Sequence, residues 1–166
     1  MQLTLWRDLT RPTAPPEPLA AGFTVVSCEQ VSAATMGELH FEAYQPPARL
    51  PSAETARDDI QAALDGEYGE LMPDASLVVL ARHQPVAVIQ TVLRAPWEDV
   101  QAGPFIIELF TAPAYQGRGL GLHLLRRSIV ACTNQHERCV GLRVDSENGP
   151  ANRLYRSVGF TEECVA

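Results

Sequence analysis

Ile106-Ile107-Glu108-Leu109-Phe110-Thr111-Ala112-Pro113-Ala114-Tyr115-Gln116-Gly117-Arg118-Gly119-Leu120-Gly121-Leu122-His123-Leu124-Leu125 is the stretch that decides the fold. It opens as a strand, an apolar run from Phe105 to Phe110 broken only by Glu108. Pro113 has no N–H for a sheet ladder, so the strand stops before it. Gly117, Arg118, Gly119 and Gly121 follow, and then apolar residues at helical spacing. A strand, a glycine-rich turn and a helix together suit a phosphate: the first N–H groups of the helix are free to face an anion, and the helix dipole favours it. Arg118 adds a cation to the same turn. Two phosphate-binding templates are excluded. Leu122 and His123 stand where a Walker loop needs Lys and Ser or Thr, and glycines at 117, 119 and 121 miss the G-x-G-x-x-G spacing. Taken alone, the turn fits equally a loop whose glycines serve turn geometry only.

Working outward, Val140, Leu142 and Val144 alternate with Gly141, Arg143 and Asp145, which is strand spacing. Asn148-Gly149-Pro150 opens a last helix with Pro150 near its first position; Leu154, Tyr155 and Val158 form its inner face, and Gly159 closes it. The helix after the glycine turn runs from about Gly119 to Asn134, with Leu122, Leu125, Ile129 and Cys132 inward and Arg126 and Arg127 toward water. Upstream, Ser76–Arg82 and Val86–Leu93 read as strands of a hairpin linked by His83-Gln84-Pro85. Gly22–Cys28 is a strand candidate. Val31, Ala34, Met36, Leu39, His40, Ala43 and Tyr44 mark one broad helical face, stopped by Pro46 and Pro47. Ser52 is a good N-cap for a second helix that ends near Gly66. Leu3–Leu9 reads as a first edge strand, and Pro12, Pro15, Pro16 and Pro18 make an extended tether.

A chain of 166 residues reads as one domain, 1–166, with residues 1–21 as edge strand and tether. Its net charge of −7 argues against nucleic acid as a partner and favours, weakly, a cationic one. Cys28, Cys132, Cys139 and Cys164 form no metal-binding spacing, and buried free thiols in a cytoplasmic protein are expected. Met1–Leu9 carries Arg7 and Asp8 with no apolar core, so no secretory leader is expected there, and no apolar run is long enough for a membrane span.

Gln116-x-x-Gly119-x-Gly121 resembles the Q/R-x-x-G-x-G/A signature of the GNAT acetyltransferase superfamily, which cradles the pyrophosphate of coenzyme A. Asn148, Ala151, Leu154, Tyr155, Gly159 and Phe160 match that family's second motif, N-x-x-A-x-x-L-Y-x-x-x-G-F, at its spacing. The resemblance is strong over 105–160 and implies an α/β (α+β) fold: a mixed, mostly antiparallel central sheet flanked by about four helices. Members continue past the Gly-Phe with two strands, whereas Phe160–Ala166 holds at most the start of one. A domain shortened at the C-terminus is therefore expected. Its final strand is missing, was removed, or comes from a second copy in a homodimer.

The implied reaction moves an acetyl group from acetyl-CoA to an amine, of a small molecule or of a protein. By resemblance the cofactor lies against Leu109, Phe110 and Thr111 and the turn Gln116, Gly117, Arg118, Gly119, Leu120 and Gly121, with Asn148 as a further contact or simply a helix cap. Tyr155 is the implied general acid for the leaving thiolate; its phenol is protonated at neutral pH. Glu108, a lone carboxylate in an apolar strand, is the first candidate for the base that frees the amine, unless it faces water or pairs with Arg94 or Arg143. His40, Glu42, Glu98 and Asp99 are weaker candidates, and Tyr44, Tyr68 and Trp97 are placed to line an acceptor pocket. Two other readings stand beside this one: a non-catalytic acyl-CoA-binding module, and a domain binding another nucleotide at the glycine turn.

Overall fold

Alternation along the strands sorts the core into two layers, one on each face of a single sheet. In the computed structural model, which describes residues 1–44 and 51–163, the elements run β1 (Gln2–Asp8), β2 (Phe23–Ser27), α1 (Ala33–Ala43), α2 (Ala53–Leu64), β3 (Leu77–Ala81), β4 (Gln84–Val92), β5 (Phe105–Thr111), α3 (Leu120–Asn134), β6 (Cys139–Asp145) and α4 (Gly149–Ser157). Val78, Val88 and Phe110 pack with Met36, Leu39 and Ile60 of α1 and α2. Val79, Ala87, Ile89 and Ile106 pack with Leu124, Leu125 and Ile129 of α3, and Leu154 of α4 joins that side. The strand order is β1-β6-β5-β4-β3-β2. Only β5 and β6 run parallel, so the expected mixed, mostly antiparallel α/β sheet with four helices is what forms.

Local corrections have simple causes. The hairpin turn is Arg82-His83, not His83-Gln84-Pro85. Both turn residues take positive φ (51° and 69°), which matches the twist of the flanking strands and lets Gln84 and Pro85 join β4. On α3 it is Leu124, not Leu122, that is buried with Leu125, Ile129 and Cys132. Pro46, Pro47 and Cys164 lie outside the described residues, and the strand expected from Phe160 appears as a single bridge between Thr161 and Trp6.

The sheet edge beside β6 is covered by β1. β1 pairs with β6 along its whole length, from Gln2 opposite Asp145 to Asp8 opposite Cys139. On its other side Trp6 exchanges backbone hydrogen bonds of 2.7 and 2.9 Å with Thr161. Arg7, only 5% exposed, locks this seam. Its Nε donates to the Val158 carbonyl at 2.6 Å and its Nη2 to the Pro12 carbonyl and Thr13 Oγ1 at 2.9 Å each. The tether thus leaves the sheet under a fixed clamp at the end of α4.

β1 is therefore integral to the core. Leu5 is fully buried in it, and Leu5→Ala should cost about 2–5 kcal/mol of unfolding free energy, read as a lowered midpoint in urea. A midpoint equal to wild type would mean that the segment is an appendage.

Candidate active site

The site opens where β5 leaves β6. The two strands are in register only at Phe105–Gly141 and Ile106–Leu142. β5 continues to Thr111 with β4 on one side, Leu109 opposite Ile89 and Phe110 opposite Val88, while its other edge faces the gap. The ladder between β4 and β5 slips just there, leaving Ile107 as an extra residue. In a regular strand Ile107 and Glu108 would point to opposite faces. With the bulge both line one cavity of about 260 Å³, together with Asp59, Ala63, Tyr68 and Trp97.

At the far end of β5 the glycine turn carries the chain into α3. Gly117 and Gly119 take φ of 77° and 78°, with open space where a side chain would stand, so backbone conformation is what requires glycine. Gly119 caps α3 without a side-chain hydrogen bond, and a helix start leaves its first N–H groups without intrahelical partners. Gln116 Nε2 donates to the Thr111 carbonyl at 3.1 Å, tying the turn to the strand end. The Arg118 guanidinium sits 4.9 Å from the Tyr115 ring centroid. An open strand edge running into a free, cation-flanked helix start fits an extended ligand that ends in phosphates.

On the α1–α2 face the helices and the residues that follow them bring four more groups to the neighbourhood of Glu108: His40, Tyr44, Asp59 and Tyr68. α1 and α2 cross closely at Gly37, where a Cβ would fall 2.5 Å from the Arg57 Cα. One turn further along α1, His40 meets Asp59 of α2. His40 Nε2 donates to Asp59 Oδ2 at 3.3 Å and lies 3.7 Å from Glu108 Oε1. Tyr68 Oη donates to Asp59 Oδ1 at 2.8 Å, and Tyr44 Oη to Glu108 Oε2 at 3.3 Å. The His40 ring packs on Phe110 and edge-on to Tyr44, with centroids 4.8 and 5.0 Å apart. The hydrogen bond from His40, then that from Tyr68, holds the Asp59 carboxyl below its ordinary range, against the effect of burial. Burial pushes Glu108 up to about 7; the His40 imidazole opposes that and the Asp59 charge adds to it. The two carboxyls behave as a pair in which Asp59 ionises first and Glu108 keeps its proton close to neutrality.

Tyr155, on the inner face of α4, is buried and packs edge-on to Phe160 at 5.9 Å. Burial, with the Glu108 charge adding, pushes its phenol up to about 12, so it stays protonated as a donor. Asn148 is a helix cap, its Oδ1 accepting from the Ala151 N–H at 3.2 Å. Arg143 pairs with Asp99 rather than with Glu108. Tyr68 and Trp97 line the cavity beside Glu108, and Tyr44 bonds Glu108.

Asp59 was missed in the sequence, although a signal exists: it falls on the stripe Ala56, Ile60, Ala63 that α2 buries, where a carboxylate is costly without partners. Gln90 was missed too. It is fully buried opposite Glu108, and neither of its amide atoms has a hydrogen-bond partner among the described residues.

The chain belongs to the acetyltransferase (GNAT) family, whose profile matches residues 36–160. No curated protein matches it. Among solved structures it is similar to a GCN5-related N-acetyltransferase from Sphaerobacter thermophilus, with 21% identity and a TM-score of 0.69; the match covers 96% of this chain and 47% of that one, so this chain spans about half of it. It is similar to an aminoglycoside N-acetyltransferase, AAC(6′)-Iy, solved with CoA, with 17% identity over 90% of this chain and 95% of that one and a TM-score of 0.66. An aminoglycoside 6′-N-acetyltransferase from Acinetobacter haemolyticus is likewise similar, with 17% identity over 86% and 94% and a TM-score of 0.61. Among the described residues no helix is long and apolar enough to cross a membrane.

The position of Glu108 makes stability depend on pH. Its folded pKa is raised from 4.5 to about 7, so between those values the folded state holds more protons than the unfolded one, and unfolding free energy falls as pH rises. Unfolding midpoints of wild type and Glu108→Gln, compared across that window, should show the wild type losing stability relative to the variant. Parallel curves would mean an ordinary, solvated carboxylate.

Proposed function

We propose that the chain transfers an acetyl group from acetyl-CoA to the amine of a small molecule. The observation that carries this reading is the Glu108 carboxyl, set beside Tyr44, His40 and Asp59 on the strand whose unpaired edge runs into the glycine turn. The free N–H groups at the start of α3, with Arg118, would hold the pyrophosphate. The unpaired edge at Leu109–Thr111 would take the pantetheine arm as an added strand takes a sheet edge. Bound there, the thioester supplies an activated acyl carbon.

The residues divide the remaining work. Glu108 accepts a proton from the amine, which attacks only when neutral. As the new N–C bond forms and the C–S bond breaks, Tyr155 gives its proton to the departing sulfur, the surplus proton on the new amide nitrogen restores Tyr155 through solvent, and Glu108 releases its own proton to solvent before the next turnover. Asp59 and Tyr44 fix the orientation of Glu108 and its proton affinity. A cavity of about 260 Å³ is smaller than the usual drug-sized pocket, which favours a small or narrow acceptor. That two of the structural neighbours are aminoglycoside acetyltransferases supports a small-molecule amine over a protein one.

Thiol release from acetyl-CoA with a panel of amines tests the reading. Turnover is expected with at least one of them. Tyr155→Phe should lower kcat by about 10²-fold or more while leaving CoA affinity nearly unchanged. CoA binding without turnover on any amine would leave a non-catalytic acyl-CoA-binding module instead.

A further inference from the structure

The cavity beside Glu108 combines features that the transfer reaction alone does not demand. Among the described residues that line it, Asp59 and Glu108 are acidic and none is basic. Asp59 is kept ionised by His40 and Tyr68, and it is partly open, its side chain 30% exposed. Trp97 and Tyr68 add aromatic surface. Arg143 lies over the Trp97 ring at 5.3 Å and is itself paired with Asp99.

We infer that the acceptor is recognised as an alkylammonium ion, with Asp59 as its anchor and Glu108 as the group that then takes its proton. This rests on the acetyl-transfer reading for its chemistry, but the recognition step stands by itself. An alkylamine is almost wholly protonated at neutral pH. A site with one carboxylate would have to bind that cation and discharge it with the same group. Here the tasks are separated. Asp59, of low proton affinity, stays anionic and accepts hydrogen bonds from the ammonium. Glu108, of higher proton affinity and within 4.8 Å of it, accepts the proton and leaves a neutral nitrogen still bonded to Asp59. Aromatic faces attract the same charge, and the small volume suits a narrow alkyl chain. Arylamines, uncharged at neutral pH, and amino acids, whose carboxylate would meet Asp59, are disfavoured.

The test is a binding titration that needs no turnover. The chain has two tryptophans; Trp6 is buried in the seam and Trp97 lines the cavity. Intrinsic fluorescence is therefore followed on adding butylammonium chloride, butan-1-ol or sodium butyrate at constant ionic strength. Butylammonium should bind at least about tenfold more tightly than the alcohol, and butyrate not at all. In Asp59→Asn, checked for an unchanged unfolding midpoint, the preference over the alcohol should disappear, while Glu108→Gln should keep most of it. Equal affinity for the alcohol and the ammonium in wild type overturns the inference without reference to any variant. A clear ammonium preference in a protein that acetylates no amine would instead overturn the transfer reading and leave the cation site standing.

Discussion

A carboxylate in the middle of an apolar strand destabilises a fold unless other groups share its burden, and the arrangement around Glu108 answers that constraint. The answer is partial. Tyr44 donates one hydrogen bond, and His40 stands near but serves Asp59 first. The second carboxyl, held ionised, makes the charge on Glu108 harder to sustain. Glu108 is thus left able to gain or lose a proton near neutral pH. A structural ion pair would have suppressed that property; a base requires it.

The sheet supplies the setting. If β5 and β6 stayed paired along their length, the backbone of Leu109–Thr111 would be consumed by the ladder. The bulge at Ile107 and the early parting from β6 leave one edge of β5 open and turn Glu108 toward α1 and α2. The sheet survives this split because each half is anchored separately. β4, β3 and β2 continue one side, and β1 completes the other by covering β6 and bridging Thr161.

Features set by local rules were legible before the structure. The glycine turn, the capped last helix and the lone Glu108 each follow from the residue type and its neighbours, whereas Tyr155 was singled out only by the resemblance of the second motif. Features that depend on distant partners were not. Nothing in Leu3–Leu9 says that it pairs with β6, since edge and interior strands of this length look alike. Asp59 looks like one more surface acid of α2 until the crossing at Gly37 sets it against His40. Asn148 carried two readings, and the structure shows it acting as a cap. Arg143, offered as a partner for Glu108, is drawn to Asp99 instead.

The central claim is that Glu108 is the group whose ionisation gates acetyl transfer. The direct measurement is kcat against pH for acetyl transfer to an alkylamine, at saturating concentrations of both substrates, in wild type and Glu108→Gln. The account predicts that kcat in wild type rises with an apparent pKa of about 7, and that in the variant this limb is gone and the plateau is lowered by about 10²-fold or more. A variant that keeps both the limb and the plateau would contradict it.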